Sequence, residues 1–199
     1  MRKQEDILMS QERIMPPIAM KVDLTKFDET EPVKLPEGYT LRTFCESEDK
    51  ADERAWDSII AATFKDPECT MEKLMYPDPA YEPSRIFFVC YQGEPVATAA
   101  GWFIPEYGED CGHLHMVAAL PEHAGKGLGI AVTRAAMQRL KRDGKVRGRL
   151  NTDDFRLPAI KSYLRLGWEP QIVGDNQYDR WKIIYEKLDW KAAPPVREE

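Results

Sequence analysis

Three glycines at alternate positions, Gly125, Gly127 and Gly129, with Lys126 among them, form the part of this chain best suited to chemistry. They lie in Leu120-Pro121-Glu122-His123-Ala124-Gly125-Lys126-Gly127-Leu128-Gly129-Ile130, between a run that reads as a strand and one that reads as a helix. Glycine lacks Cβ, so the backbone can turn sharply here and approach a ligand closely. The first amides of a helix have no partner within it and sit at the positive end of its dipole, which favours an anion such as a pyrophosphate. A glycine-rich strand-to-helix turn that binds nothing is the plainer alternative. The spacing disfavours two phosphate motifs. G-x-x-x-x-G-K-S/T fails because Ile130 and Ala131 follow Gly129, which argues against ATP or GTP. G-x-G-x-x-G fails because the glycines run G-x-G-x-G, which argues against a nicotinamide cofactor.

The segment Pro121 to Gly129 resembles the acetyl-coenzyme A loop of the GNAT N-acetyltransferase superfamily. That loop runs Arg or Gln, two free positions, Gly, one free position, then Gly or Ala. Downstream, Ala159-Ile160-Lys161-Ser162-Tyr163-Leu164-Arg165-Leu166-Gly167-Trp168 is similar to the family's second signature: an alanine, a tyrosine four residues later, and a Gly-aromatic pair. The two signatures occur in order, separated by a helix and a strand, and the resemblance covers residues 37–190. Two positions depart from the family pattern. Ala124 stands where the family carries Arg or Gln, so one side-chain contact to the pyrophosphate is missing, and Arg156 stands where many relatives carry an asparagine.

The resemblance implies a role for each candidate residue. Acetyl-CoA is the implied co-substrate, with no metal. The amides of Gly125, Lys126, Gly127, Leu128, Gly129 and Ile130 would cradle its phosphates, with Ala124 opening the loop, Lys126 adding charge and Asn151 standing in for the absent asparagine. The strand Met116-Val117-Ala118-Ala119 would splay from its neighbour beside the pantetheine arm, and the Val117 amide would meet the thioester carbonyl. A strand paired along its whole length is the alternative. Tyr163 would contact the cofactor and act as general acid, because a phenol of pKa near 10 is protonated at neutral pH and can supply a thiolate of pKa near 8.5. It could instead only pack against the sheet. His115 is the candidate base, since an imidazole of pKa near 6.5 suits proton abstraction near neutrality. With His113 it could equally form a packed pair; Glu106, Glu109 and Asp110 are carboxylates that could act through water. Asp153 and Asp154 read as loop and helix-capping residues. Trp102, Tyr107 and Trp168 could line an acceptor pocket or simply pack.

The elements that must hold these residues follow from hydrophobic spacing. Tyr39–Phe44 reads as a strand, Ser47–Phe64 as a helix, and Ile86–Tyr91 and Pro95–Ile104 as a hairpin turning at Gln92-Gly93-Glu94. Cys111–Leu120 is a strand, Gly129–Arg142 a helix, Val146–Leu150 a strand, Leu157–Leu166 a helix and Trp181–Leu188 a last strand. The expected fold is α+β: a central mixed, mostly antiparallel sheet flanked by helices, GNAT-like by resemblance. Residues 1–36 read as an N-terminal extension with a short polar helix over Glu5–Arg13, 37–190 as the domain, and 191–199 as a flexible tail.

Composition bounds the partners. The chain has 199 residues with 28 Lys and Arg against 34 Asp and Glu, a formal net charge of −6 that repels phosphate backbones, so nucleic acid is not expected. The apolar run Val96–Ile104 is about half the roughly 20 residues a membrane helix needs, so no membrane partner is expected either. Cys45, Cys69, Cys90 and Cys111 form no C-x-x-C pair, and with no secretory signal in the opening residues a cytoplasmic location is expected. The expected activity is an acetyl-CoA dependent N-acetyltransferase of class EC 2.3.1.-, acting on a primary amine of a small molecule by direct attack in a ternary complex. Alternatives are a non-catalytic coenzyme A binding module and an acyltransferase for a protein amine. Relatives often form homodimers, and the sequence leaves that open.

Overall fold

Seven strands and five α-helices occupy residues 15–196 of the computed structural model, the residues it describes. In chain order these are β1 (Ile18–Asp23), β2 (Tyr39–Thr43), α1 (Ala51–Phe64), α2 (Met71–Leu74), β3 (Ile86–Tyr91), β4 (Glu94–Trp102), β5 (Cys111–Ala119), α3 (Leu128–Arg142), β6 (Arg147–Thr152), α4 (Leu157–Arg165), β7 (Glu169–Gln171) and α5 (Gln177–Leu188). The chain divides into two units: Asp23–Arg149, and the segments up to Val22 and from Leu150 onward. The expected helix over Glu5–Arg13 lies outside the described residues.

In the larger unit, β2 to β5 form an antiparallel meander, and β6 joins β5 in parallel through Cys111↔Arg147, Gly112↔Gly148 and His113↔Arg149. Gln92 and Gly93 both have positive φ, 52° and 94°, the geometry a two-residue hairpin needs to match strand twist. One sheet face is built from large side chains. Trp56, Ile59 and Ile60 of α1 pack with Phe88, Ala100 and Trp102. On the other face, glycines on β4 and β5 let α3 lie close. A Cβ added at Gly101 would come within 2.9 Å of the Ala136 carbonyl oxygen, and one at Gly112 within 2.6 Å of Leu140. α3 turns Ala131, Val132, Ala135, Ala136 and Leu140 inward, at the three- and four-residue spacing of a buried helical stripe. Its other side chains fasten the chain after β1: Gln138 donates to the Glu29 and Glu31 carbonyls at 3.0 and 2.9 Å, and Lys141 to that of Phe27 at 2.7 Å.

In the second unit, β1 pairs antiparallel with β7 through Ala19↔Gln171, Met20↔Pro170 and Lys21↔Glu169. Part of the segment read as an extension is therefore a strand, with Ile18 and Met20 fully buried. The strand expected over Trp181–Leu188 is a helix, α5. Its buried residues Gln177, Arg180, Trp181, Ile184 and Tyr185 recur every three to four positions while Ile183 is half-exposed, so the burial period is helical. Other differences are at boundaries. α1 begins at Ala51 because Lys50 is left-handed, with φ 50°, and β6 begins one residue late because Val146 faces solvent.

Candidate active site

The glycine loop takes its shape from both neighbouring strands. Leu120 N–H donates to the Val96 carbonyl at 2.9 Å, ending the β5 pairing, and Pro121–His123 makes a single 3-10 turn. Gly125 and Gly127 then have φ of 76° and 77°, a region where L side chains are strained, and nothing lies within 4 Å of where their Cβ atoms would be. Gly127 is the N-cap of α3 and offers no side-chain cap; its carbonyl accepts from the Ala131 amide at 3.1 Å. The amides of the first turn have no side-chain cap, and unpaired amides at a helix start are what an anion can satisfy.

A brace invisible in the sequence holds the start of this loop. Tyr39 and Tyr91 are register partners on β2 and β3, with ring centroids 4.8 Å apart. The Tyr39 hydroxyl lies 2.7 Å from His123 Nδ1, and Lys126 Nζ sits 5.7 Å from the Tyr39 ring centroid. A cation over an aromatic face is attracted by the ring quadrupole, which keeps the Lys126 ammonium beside the loop.

Immediately upstream, β5 carries a bulge. Thr98 pairs with Ala118 and Ala100 with His115, so Ala99 alone faces both Met116 and Val117. Met116 has φ 48°, a conformation that costs a non-glycine residue about 1–3 kcal/mol and that concentrates at functional sites. Val117 therefore has no register partner on β4, and the parallel pairing with β6 involves only Cys111, Gly112 and His113. Ala118 and Ala119 resume the β4 register opposite Thr98 and Ala97.

The face of β5 that carries His113 and His115 is polar among apolar neighbours. His113 pairs in register with Trp102 on one side and Arg149 on the other, so these three side chains share that face, as does His115 two residues on. The two imidazoles are 5.6 Å apart, and His115 is 5.8 Å from the Trp102 ring. Burial lowers the His113 pKa to about 3, helped by His115 and Arg149, and lowers that of His115 to about 4 against the opposing pull of Asp78. Both are neutral at pH 7. Asp78 is the carboxylate the sequence reading missed, because nothing in its proline-rich loop marks it. Its Oδ2 accepts from Trp102 Nε1 at 3.0 Å and its Oδ1 from the Ala80 amide at 2.8 Å. Tyr107 stacks on the Arg149 guanidinium at 4.1 Å. Of the expected loop carboxylates, Asp110 is engaged by Arg147 at 2.9 and 3.0 Å, while Glu106 and Glu109 are exposed.

In the second unit, Tyr163 on α4 is 5% exposed, with its ring 6.4 Å from that of Trp168. Burial pushes its phenol well above the usual value. Trp168 is 1% exposed and packs rather than lining an open surface. Asn151 is exposed on β6. The capping expected of Asp153 and Asp154 is not seen: α4 starts at Arg156 without a side-chain cap, Asp153 pairs with Arg156 at 3.1 Å, and Asp154 receives Arg180 at 2.6 and 2.9 Å. Among the described residues no group of three or more His, Cys, Asp and Glu is placed to hold a metal ion, and no helix is long and apolar enough to cross a membrane.

Comparison with known proteins places this geometry. The model of the acetyltransferase (GNAT) family matches residues 45–168, more than half of the chain. A mycothiol acetyltransferase of Streptomyces scabiei is 34% identical over 155 residues, covering 75% of this chain and 48% of the relative. One of Thermobispora bispora is 32% identical over 160 residues, covering 74% and 52%. The chain thus spans about half the length of the curated relatives it matches. Among solved structures, a GCN5-related N-acetyltransferase from Sphaerobacter thermophilus is similar with a TM-score of 0.61 and 21% identity, covering 85% of this chain and 53% of that one. Another from Kribbella flavida gives 0.57 and 23%, covering 83% and 61%. These two likenesses concern the fold.

Proposed function

Because the chain belongs to the acetyltransferase (GNAT) family, we propose that it transfers the acetyl group of acetyl-CoA to a primary amine of a small molecule, by direct attack within a ternary complex. The observation that carries this reading is the bulge at Met116–Val117, which interrupts the β4–β5 register a few residues before a glycine loop whose helix has no side-chain cap. The relatives named mycothiol acetyltransferase support a small-molecule acceptor.

The loop fits a pyrophosphate on its own geometry: Gly125 and Gly127 leave room above the backbone, and the first-turn amides have no side-chain cap. Ala124 adds no charge, so Lys126 and the amides through Ile130 carry the site, with Met116 to Ala119 along the pantetheine and Asn151 and Tyr163 as further contacts. Acetyl-CoA supplies an acetyl group already activated as a thioester. Val117 N–H donates to the carbonyl oxygen as it gains negative charge. His115, neutral in the working range, keeps a lone pair free. Its low basicity suits a proton on a nitrogen already bonded to the acyl carbon, which is far more acidic than a free ammonium. Tyr163 keeps its proton until the departing sulfur needs it. Cys111 is fully buried and its thiol is pushed up by burial, which supports direct attack over a covalent acyl-enzyme.

The test is thiol release from acetyl-CoA across a panel of primary amines, with the acetylated product identified by mass. Release that depends on the amine is expected. Full cofactor binding with no release for any amine would leave a coenzyme A binding module.

A further inference from the structure

The row of side chains across β4, β5 and β6 has opposite charges at its two ends. Asp78 is fixed to Trp102 on β4, Arg149 rises from β6, and the neutral rings of His113 and His115 lie between. Adjacent strands are about 4.8 Å apart, so the strands bearing Trp102 and Arg149 are about 10 Å apart.

The positive end is left incomplete. Arg149 Nε is buried without a hydrogen-bond partner, and no carboxylate is paired with this guanidinium among the described residues. Tyr107 covers one of its flat faces, which leaves the edge donors for a ligand. Beside it, His113 is 6% exposed and its Nδ1 also lacks a partner. Buried polar atoms normally find a partner, and here two on register neighbours lack one. A planar guanidinium edge with one imidazole nitrogen matches the two oxygens of a carboxylate. The other cations near this end are used: Arg147 holds Asp110, and Lys145 donates to the Glu109 carbonyl.

Resting on the acetyl-transfer reading above, we propose that the acceptor is a zwitterion, an amine that also bears a carboxylate, with the carboxylate held by Arg149 and His113. The amine then lies toward His115, on the side where Asp78 favours positive charge, two residues before the Val117 amide.

The test compares matched acceptors on the unmodified full chain: amino acids, their carboxamides and the corresponding decarboxylated amines, each scored by kcat/KM for thiol release. The amino acids should be preferred by about 10- to 100-fold, the worth of hydrogen bonds to a charged group. In Arg149→Met the preference should vanish, mainly through KM, while the melting shift with acetyl-CoA shows that the variant is folded; Arg149→Lys should keep part of it. Equal use of carboxamides and amino acids by the unmodified chain, or an undiminished preference in Arg149→Met, would overturn the proposal. Absence of thiol release with every amine would instead overturn the acetyl-transfer reading beneath it.

Discussion

His113 and His115 resist protonation because the sheet face they occupy is dry, and this has a consequence for stability. Both have native pKa values, about 3 and about 4, below the roughly 6.5 of an unfolded histidine. Between those limits the unfolded chain binds more protons than the folded one, so stability rises with pH. The contribution is complete above about pH 6.5 and is lost as pH falls toward 4 and 3, with a slope of at most about 1.4 kcal/mol per pH unit for each histidine. Urea midpoints measured between pH 4 and 8 should fall on the acid side, and His113→Gln should flatten that fall; an unchanged slope would show that His113 is solvated. Tyr163 is tested by Tyr163→Phe, which should lower turnover by about 10²- to 10⁴-fold while leaving the melting shift with acetyl-CoA in place. Unchanged turnover would remove it from the acid role. The phenol, the imidazoles and the glycines could be named as candidates from residue type and the family resemblance. Asp78, Arg149 and Tyr39 could not, because their importance comes from which strand or loop lies beside them.

At the level of elements, the glycine loop could be read in advance because its geometry is local: a strand, a turn requiring positive φ at Gly125 and Gly127, and a helix. The bulge could not, since it exists only in the register between β4 and β5. Misreading α5 as a strand has a similar origin: Trp181-Lys182-Ile183-Ile184-Tyr185 is rich in β-forming residues, and tertiary burial at a helical period overrides that preference. Two glycines test how the elements position the site. Gly127→Ala places a side chain at φ 77° without any clash, so it should cost about 1 kcal/mol in stability and weaken acetyl-CoA binding measurably by calorimetry. Gly101→Ala drives a methyl toward the Ala136 carbonyl at 2.9 Å, so α3 must shift. A loss of about 1–3 kcal/mol in urea unfolding is expected. A neutral result would mean that α3 is not held against that glycine.

For the molecule as a whole, the meander of β2 to β5 was readable because each strand is bounded by turn residues, whereas β1 was hidden in a segment dominated by prolines and charges. Its alternation of Ile18, Met20 and Val22 with Lys21 and Asp23 is a strand signal that a short segment carries weakly. The net charge of −6 leaves the glycine loop and Lys126 as a local exception, so binding of a phosphate-bearing ligand depends on backbone amides more than on the overall field. The most direct test is therefore a thermal melt of the full chain with acetyl-CoA, coenzyme A and AMP added separately. Ligand at about 100 times its dissociation constant stabilises by roughly 2.7 kcal/mol. At about 2–4 °C per kcal/mol, both coenzyme A forms should raise the melting temperature by roughly 5–11 °C, and AMP should do little. No shift with millimolar acetyl-CoA would contradict the account, because neither the loop nor the bulge would then have the ligand for which their geometry is suited.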